Sequence, residues 1–194
     1  MELKCDLNIT LKCDRDITLK QIEMEDAPVI FRIIDAQRDY LGPWLPFVEQ
    51  TRELSDTESF VKSVVGAPSD RFEYIFTIRA RNEMAGLIGF KLSDRANRKT
   101  EIGYWLSRPF QGRGIMTRSV SCLLDFAFDK LEMNRVQIKC AAGNQPSIKI
   151  PLRLGFRSEG IERDGELLSG ERYTDLEVFS ILKREWEANR AKGM

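Results

Sequence analysis

The sequence contains no histidine among its 194 residues. This absence excludes the serine–histidine and cysteine–histidine pairs of many hydrolases, and it removes the commonest general base of enzymes. Four cysteines are present, Cys5, Cys13, Cys122 and Cys140, but no two of them form a Cys-x-x-Cys pair. We therefore expect no metal site. An enzyme of this composition must work with carboxylates, hydroxyl groups, backbone amides and a borrowed cofactor.

Net charge and long apolar runs are also missing. The 30 Lys and Arg residues are balanced by 30 Asp and Glu residues, so we expect no direct binding to nucleic acid. No apolar stretch approaches the roughly 20 residues of a membrane-spanning helix, and we expect no membrane association. Charged residues stand near the start, where a secretory signal needs an apolar run. We therefore expect a cytoplasmic protein with reduced cysteines.

The hydrophobic pattern predicts one α/β domain over residues 1–194, with a core from about 17 to 183. Apolar residues at three- and four-residue steps predict a long helix after Pro109, and shorter alternating runs predict strands around it. The charged tail, 184–194, is predicted to be helical. No linker-like segment divides the chain.

Several local patterns refine this prediction. The eight residues 3–10 are repeated almost unchanged as 11–18, and we expect the second copy to form the first strand; a hairpin of both copies is the alternative. Ser55 and Glu58 have the spacing of a capping box and predict a helix start. The last two strands are predicted at 156–161 and 174–183, joined by a polar connection.

A strand ending at Leu106 is followed by a loop with two glycines, Gly112 and Gly114, and then by the long helix. Such a loop lets backbone N–H groups converge at the positive end of the helix dipole, which suits a phosphate or pyrophosphate. Three arginines (Arg108, Arg113 and Arg118) lie nearby. The segment is neither a Walker loop nor a Rossmann loop, and taken alone it is equally consistent with a plain tight turn.

A second unit makes the pattern specific. After the long helix come Asn134-Arg135, a strand, Asn144-x-x-Ser147, a short helix, and Leu154-Gly-Phe156. Together with Glu101–Leu106 and Gln111–Met116, this ordered set resembles the GNAT superfamily of acetyl-CoA-dependent N-acetyltransferases, and within it the RimJ/RimL group of ribosomal-protein N-terminal acetyltransferases. The resemblance spans about residues 17–183. Two positions depart from the family pattern: Met116 stands where a small residue is expected, and Pro151 where many relatives carry a tyrosine.

The resemblance implies a GNAT-like fold, in which a mixed, mostly antiparallel sheet with a splayed central strand pair is flanked by helices. It also implies acetyl-CoA as cofactor. The edge of the strand at Leu106 would pair with the pantetheine arm, and Asn144 would hydrogen-bond it. The pyrophosphate would be held by backbone amides of the glycine loop and helix start, at Gln111, Gly112, Arg113, Gly114, Ile115, Met116 and Thr117.

Acetyl transfer requires a group that assists the departing thiolate and a group that accepts the proton of the attacking amine. With Pro151 in place of the tyrosine, Ser147 is the candidate acid or hydrogen-bond donor, as in RimL-like enzymes. Glu101 and Glu166 are the candidate bases; either could instead be a solvated surface charge. Because an α-amine has a lower pKa than a lysine amine, ordinary carboxylates favour an N-terminal acceptor.

We therefore expect direct acetyl transfer to an amine, with the N-terminal amine of a ribosomal protein as first hypothesis. Two alternatives stay open: a small amine acceptor, such as a polyamine, an amino acid or an amino-sugar antibiotic, and a non-catalytic acyl-CoA-binding module. Acceptor selectivity is expected from 40–47 and 162–172, which flank the cofactor site. We also expect that copies of the chain can associate with one another.

Overall fold

The computed structural model describes residues 9–68 and 72–192. Eight strands form one sheet in the order β1-β2-β3-β4-β5-β6-β8-β7. The strands are β1 (Thr10–Lys12), β2 (Ile17–Gln21), β3 (Ile75–Ala80), β4 (Glu83–Asp94), β5 (Lys99–Leu106), β6 (Arg135–Ala141), β7 (Arg157–Leu168) and β8 (Arg172–Leu182). The helices are α1 (Ala27–Asp35), α2 (Arg38–Leu41), α3 (Phe47–Gln50), α4 (Leu54–Val65), α5 (Ile115–Asp125), α6 (Gln145–Arg153) and α7 (Lys183–Ala191).

The central strands separate. Strands β5 and β6 are parallel and pair only from Lys99 to Glu101, whereas the pairing of β4 with β5 continues to Leu106. All other neighbouring pairs of the described strands are antiparallel. The fold prediction is therefore confirmed: a mostly antiparallel mixed sheet with a splayed central pair, flanked by helices.

Apolar side chains cover both faces of the sheet. On one face α5 packs through Val120, Leu123 and Leu124, all fully buried. On the other face α1 and α4 pack near Trp105 of β5. Helix α5 continues into a π-helical segment, Phe126–Lys130. The aromatic ring of Phe126 contacts the rings of Tyr74, Phe76 and Phe90. None of the described helices is long and apolar enough to cross a membrane.

The second copy of the repeat contributes to both strands of a hairpin. It supplies Leu11 and Lys12 to β1 and Ile17 and Thr18 to β2, which continues to Gln21, and Thr10 of the first copy begins β1. Between the strands, the Asp14 carboxylate accepts the backbone N–H groups of residues 16 and 17, both at 2.8 Å. The second copy thus takes part in the first two strands rather than in one. Residues 3–8 of the first copy lie outside the described residues.

Two local predictions are wrong. Helix α4 is capped by Glu53 and Asp56 rather than by Ser55 and Glu58, because the Asp56 carboxylate accepts the backbone N–H of both Arg52 and Glu53, at 2.8 and 2.9 Å. The polar connection predicted after residue 161 is mostly strand, since β7 and β8 form a long hairpin that turns at 169–171. Strand β7 is an exposed edge strand, so it needs no apolar alternation that the sequence could reveal.

Candidate active site

A cavity of about 580 Å³ opens beside the separation of β5 and β6. Its walls come from the ends of these strands, the glycine loop, the start of α5, helix α6 and the α2–α3 segment. Residues from every predicted cofactor element line it, including Leu106, Gly112, Thr117 and Asn144. Within the described ranges, no group of three or more acidic or cysteine side chains is placed to hold a metal ion.

The open edge of β5 presents backbone groups to this cavity. The N–H of Ser107 donates to Ala85 O at 2.8 Å on the β4 side, so alternate residues back along β5 face β4. The Ile102 carbonyl and the backbone groups of Tyr104 and Leu106 therefore point toward the gap, beyond the last residues of β5 that pair with β6. A ligand with amide groups can add to such an edge as a strand does. The Leu106 carbonyl also accepts a 3.2 Å hydrogen bond from the Tyr40 hydroxyl.

The glycine loop places unpaired amides at the start of α5. Gly112 and Gly114 both have positive φ, +71° and +69°, a conformation that costs other residues energy. Gly114 is the N-cap of α5, and the first backbone bond of the helix runs from Arg118 N to Gly114 O at 3.1 Å. The backbone amides of residues 115–117 therefore have no acceptor within the helix, and they lie at the positive end of its dipole. This arrangement suits a bound pyrophosphate.

The side chains of Ile115 and Met116 lie in the core, 4% and 5% exposed, so these residues offer only their backbone amides to the cavity. The side chain of Met116, which is larger than the residue expected there, therefore packs in the core beneath the loop and does not fill the cavity.

Arg118 shapes the loop instead of facing the cavity. Its guanidinium forms a 2.8 Å ion pair with Asp14 and donates to the carbonyl oxygens of Arg113, at 3.0 Å, and Gly114, at 3.4 Å. These bonds give both carbonyl oxygens a partner within the protein. Arg108 pairs with Asp39 at 3.3 Å. Of the three arginines singled out in the sequence, Arg113 alone has no ion pair among the described residues.

Two further cations line the cavity that the motifs did not reveal. Lys149 and Arg153 lie one turn apart on the exposed side of α6, so both can reach a phosphate-bearing ligand. The sequence shows that the two residues are four positions apart in a predicted helix, which places them on one helix face. Only the tertiary structure shows that this face borders the cavity.

Asn144 caps α6, and Ser147 stands in the first turn of the helix. The Asn144 amide oxygen accepts the Ser147 backbone N–H at 3.3 Å, which leaves the Asn144 amide NH₂ free to meet a ligand. The Ser147 hydroxyl lies 3.3 Å from the hydroxyl of Tyr104 and 3.3 Å from the sulfur of Cys140. Sequence reasoning did not single out Tyr104, although it lines the same cavity.

Glu101 lies where β5 and β6 separate, and both of its carboxylate oxygens are engaged. Oε1 is 2.7 Å from the Lys91 ammonium, and Oε2 accepts a 2.8 Å hydrogen bond from the Gln137 amide. The residue is only 2% exposed. It is therefore an ion-paired group rather than a solvated surface charge.

Glu166 is half-buried on β7 and makes no ion pair within 9–68 and 72–192. Burial raises its pKa, the charge of Glu101 adds to this effect, and Lys91 and Lys139 oppose it. Lys139 itself is paired with Glu162 at 2.6 Å. The structure thus brings both candidate bases into one cluster, in which Glu166 is the more available carboxylate.

The two sets of candidate groups occupy opposite faces of the sheet. Side chains alternate along β5, so Glu101 and Trp105 share one face, whereas Tyr104 points to the face that carries α5 and α6. The hydroxyl groups of Ser147 and Tyr104 therefore lie on one side of the gap and the carboxylates on the other. Such an arrangement suits the transfer of a chemical group between two ligands that approach the gap from opposite faces of the sheet.

Of the segments expected to govern selectivity, the first contributes Tyr40, Leu41, Trp44 and Leu45 to the cavity wall, whereas Phe47 belongs to α3 and lies outside that wall. The second segment forms the β7–β8 hairpin and carries Glu162 and Glu166.

Comparison with known proteins places these features in a family. The family described as "Acetyltransferase (GNAT) domain" matches residues 16–157. The Bacillus subtilis (strain 168) protein named "Putative ribosomal N-acetyltransferase YdaF" is 35% identical over 87% of this chain and 92% of its own length. The ribosomal-protein-serine acetyltransferase of Escherichia coli (strain K12) is 28% identical over 78% of this chain and 84% of its own.

A solved structure shares the architecture. RimL, described as a ribosomal L7/L12 α-N-protein acetyltransferase in complex with coenzyme A that is disulfide-linked to a cysteine of that protein, superposes with a TM-score of 0.85. It is 25% identical, over 90% of this chain and 98% of its own.

Proposed function

Since the chain belongs to the GNAT acetyltransferase family and is an acetyl-CoA-dependent N-acetyltransferase, we propose that its acceptor is the N-terminal α-amine of a protein, and specifically of a ribosomal protein. The observation that carries this proposal is the match to the E. coli ribosomal-protein-serine acetyltransferase along most of both chains. The acetyl thioester of coenzyme A supplies the activated group, so the protein needs no nucleophile of its own.

For the cofactor, the proposal assigns each part of the cavity a role. Amides from Gly112 to Thr117 hold the pyrophosphate at the start of α5, with charge support from Arg113, Lys149 and Arg153, whereas the Gln111 amide donates to the Arg108 carbonyl at 3.2 Å and only borders the site. The free edge of β5, from the Ile102 carbonyl to Leu106, pairs with the pantetheine amides, and the Asn144 side chain donates to the same arm. The fit rests on the unpaired loop amides and on the edge that β6 leaves open.

For the chemistry, Glu166 accepts the proton that the attacking amine loses, directly or through water, and Glu101 stays paired with Lys91. Ser147 donates a hydrogen bond to the sulfur as the carbon–sulfur bond breaks. An α-amine has a pKa of about 7.7–8.0 and is partly neutral at pH 7, whereas a lysine amine at about 10.4 is almost fully charged. A carboxylate base with a modestly raised pKa is therefore better matched to the α-amine.

The charges near the gap also favour a peptide over a polyamine. Glu101 and Glu162 are paired with Lys91 and Lys139, so of these three glutamates Glu166 is the one without an ion pair in the part of the chain that the structure describes. A polyamine carries several positive charges, and its recognition calls for an excess of negative ones.

The test is a comparison of acetyl-CoA turnover on three acceptor classes: peptides with ribosomal-protein N-termini, polyamines and amino-sugar antibiotics. Each peptide is paired with the same peptide carrying a blocked α-amine. We expect turnover on the free peptides alone and a mass increase at the α-amine. Equal turnover on the blocked peptides, or turnover confined to a small amine, would refute the proposed acceptor.

A further inference from the structure

Two cysteine side chains meet where the β1–β2 hairpin packs on helix α5. Cys13 lies in the turn of the hairpin and Cys122 on α5, and their thiols share a hydrogen bond. The residues beside them make a parallel contact, since the Asp14 carboxylate pairs at 2.8 Å with Arg118, one helical turn before Cys122. Both thiols are half-buried and pack against the main apolar core.

The backbone on both sides of this contact is held in place. The Cys13 N–H donates to the Ile17 carbonyl at 3.0 Å, and the Asp14 carboxylate accepts the N–H groups of residues 16 and 17. Cys122 lies within α5 beside Leu123, which is fully buried. Neither residue can leave the contact without breaking these bonds, so the two thiols stay within reach of each other.

The two thiols differ in reactivity. Their shared hydrogen bond lowers the pKa of Cys122, whereas the same bond, together with burial, raises the pKa of Cys13. The thiolate is the form that attacks a disulfide, so Cys122 reacts first. When Cys122 is held in a mixed disulfide it carries no charge, and the main cause of the raised pKa at Cys13 is removed.

We propose that Cys13 and Cys122 are a reversible oxidation site, and that the disulfide between them clamps the β1–β2 hairpin onto α5. The Cys122 thiolate attacks a low-molecular-weight disulfide and displaces one thiolate from it. Cys13 then loses its proton and attacks the Cys122 sulfur, which displaces the second thiolate. The two protein thiols thus give two electrons to the small disulfide, and their protons pass through water to the two thiolates released. An excess of small thiol reverses the reaction.

The clamp should stabilise the fold without closing the cofactor cavity. About 110 residues separate the two cysteines, so a bond between them removes much of the freedom of the unfolded chain. Neither cysteine is among the residues that line the cavity. The Asp14–Arg118 pair already holds the hairpin against α5 in the reduced protein. The oxidation site does not rest on which amine accepts the acetyl group.

Oxidised glutathione, followed by mass spectrometry of the intact protein and of its peptides, tests for the bond. The native protein should lose the mass of two hydrogen atoms and yield a peptide in which Cys13 is joined to Cys122, and dithiothreitol should reverse both changes. Cys13→Ser should instead keep glutathione attached to Cys122, because the second attack cannot occur. Cys5→Ser is the matched control, since Cys5 and Cys13 occupy equivalent positions in the repeat, and it should form the native bond.

Two further measurements test the clamp. The melting temperature of the oxidised native protein should exceed that of the reduced protein by several degrees, and Cys13→Ser should show no such rise after the same treatment. Acetyl-CoA, which has no free thiol to reduce the bond, should bind both forms with dissociation constants that differ less than threefold.

Four results would overturn the inference: no reaction at Cys122, a lasting glutathione adduct on Cys122 of the native protein, a bond from Cys122 to Cys5 or Cys140, or an oxidised form no more stable than the reduced one. A tenfold loss of acetyl-CoA affinity on oxidation would also contradict the clamp, because it would mean that the bond distorts the cofactor loop. All of these outcomes are independent of the acceptor comparison above.

Discussion

At the scale of single residues, the two candidate bases differ in what surrounds them. Both carboxylate oxygens of Glu101 are taken by Lys91 and Gln137, whereas Glu166 is half-buried without an ion pair among the described residues. Spacing along the chain could nominate both positions but could not rank them. The ranking depends on Lys91 and Gln137, which reach Glu101 from neighbouring strands.

The pH dependence of turnover follows from this difference. Because burial raises the pKa of Glu166, its carboxyl group should become protonated, and turnover should fall, at a higher pH than for an ordinary glutamate near 4.3. Glu166→Gln should remove that acidic limb and lower kcat by roughly 10- to 100-fold near neutral pH. The matched variant Glu101→Gln should keep the limb. Profiles of turnover rate against pH measure this. If the acidic limb disappears in Glu101→Gln but persists in Glu166→Gln, Glu101 is the base instead.

At the scale of elements, the unit of strand β5, glycine loop and helix α5 carries the cofactor site. The sequence predicted this unit because glycines before an apolar helix are a local pattern. It did not predict the role of Arg118, whose partner Asp14 lies in the β1–β2 hairpin. That contact joins positions far apart in the chain, and no local pattern encodes it.

Gly114 gives the sharpest test of the loop. Gly114→Glu places a side chain at a φ of +69° and a negative charge beside the pyrophosphate, so coenzyme A affinity should fall at least 100-fold. An added Cβ would meet only Arg118, at 4.0 Å, so crowding is not the cause. Gly170→Glu, at a φ of +73° in the β7–β8 turn, carries the same strain and charge away from the cavity. Calorimetric titration of both folded variants decides; equal affinities would contradict the loop assignment.

At the scale of the whole molecule, β5 and β6 pair over three residues only, so each half of the sheet must be held together by its own contacts. Beyond the gap, β6, β8 and β7 are tied by Glu159, whose carboxylate accepts from the Arg135 guanidinium at 2.6 and 2.5 Å and from the Ser180 hydroxyl at 2.7 Å. Hydrogen bonding from Arg135 lowers the pKa of Glu159 to about 2. This half of the sheet therefore depends on a charge that acid removes.

Glu159→Gln should lower the free energy of unfolding by about 1 kcal/mol at pH 7, a modest value because water screens a partly exposed pair. A lowered folded-state pKa stabilises the protein above the unfolded-state value of 4.5, and the effect is lost as pH falls toward 2. The difference between native protein and variant should therefore shrink across that window. Denaturant unfolding at several pH values measures it, with the exposed Glu187→Gln as control. A constant difference would contradict the linkage.

The sequence by itself determined the order of elements, the glycine loop and the placing of Asn144 and Ser147 at the start of a short helix. These features are encoded by periodicity and by residues within a few positions of one another. The sequence also shows the alternation of side chains along β5 and the proline inside α6. It does not show that these two features bring Tyr104 and the Ser147 carbonyl together. Only the tertiary structure brought Tyr104 to the carbonyl that Pro151 leaves free, and only it paired Glu101 while leaving Glu166 available. These contacts join positions tens of residues apart, because packing, not local pattern, decides which side chains meet across the gap.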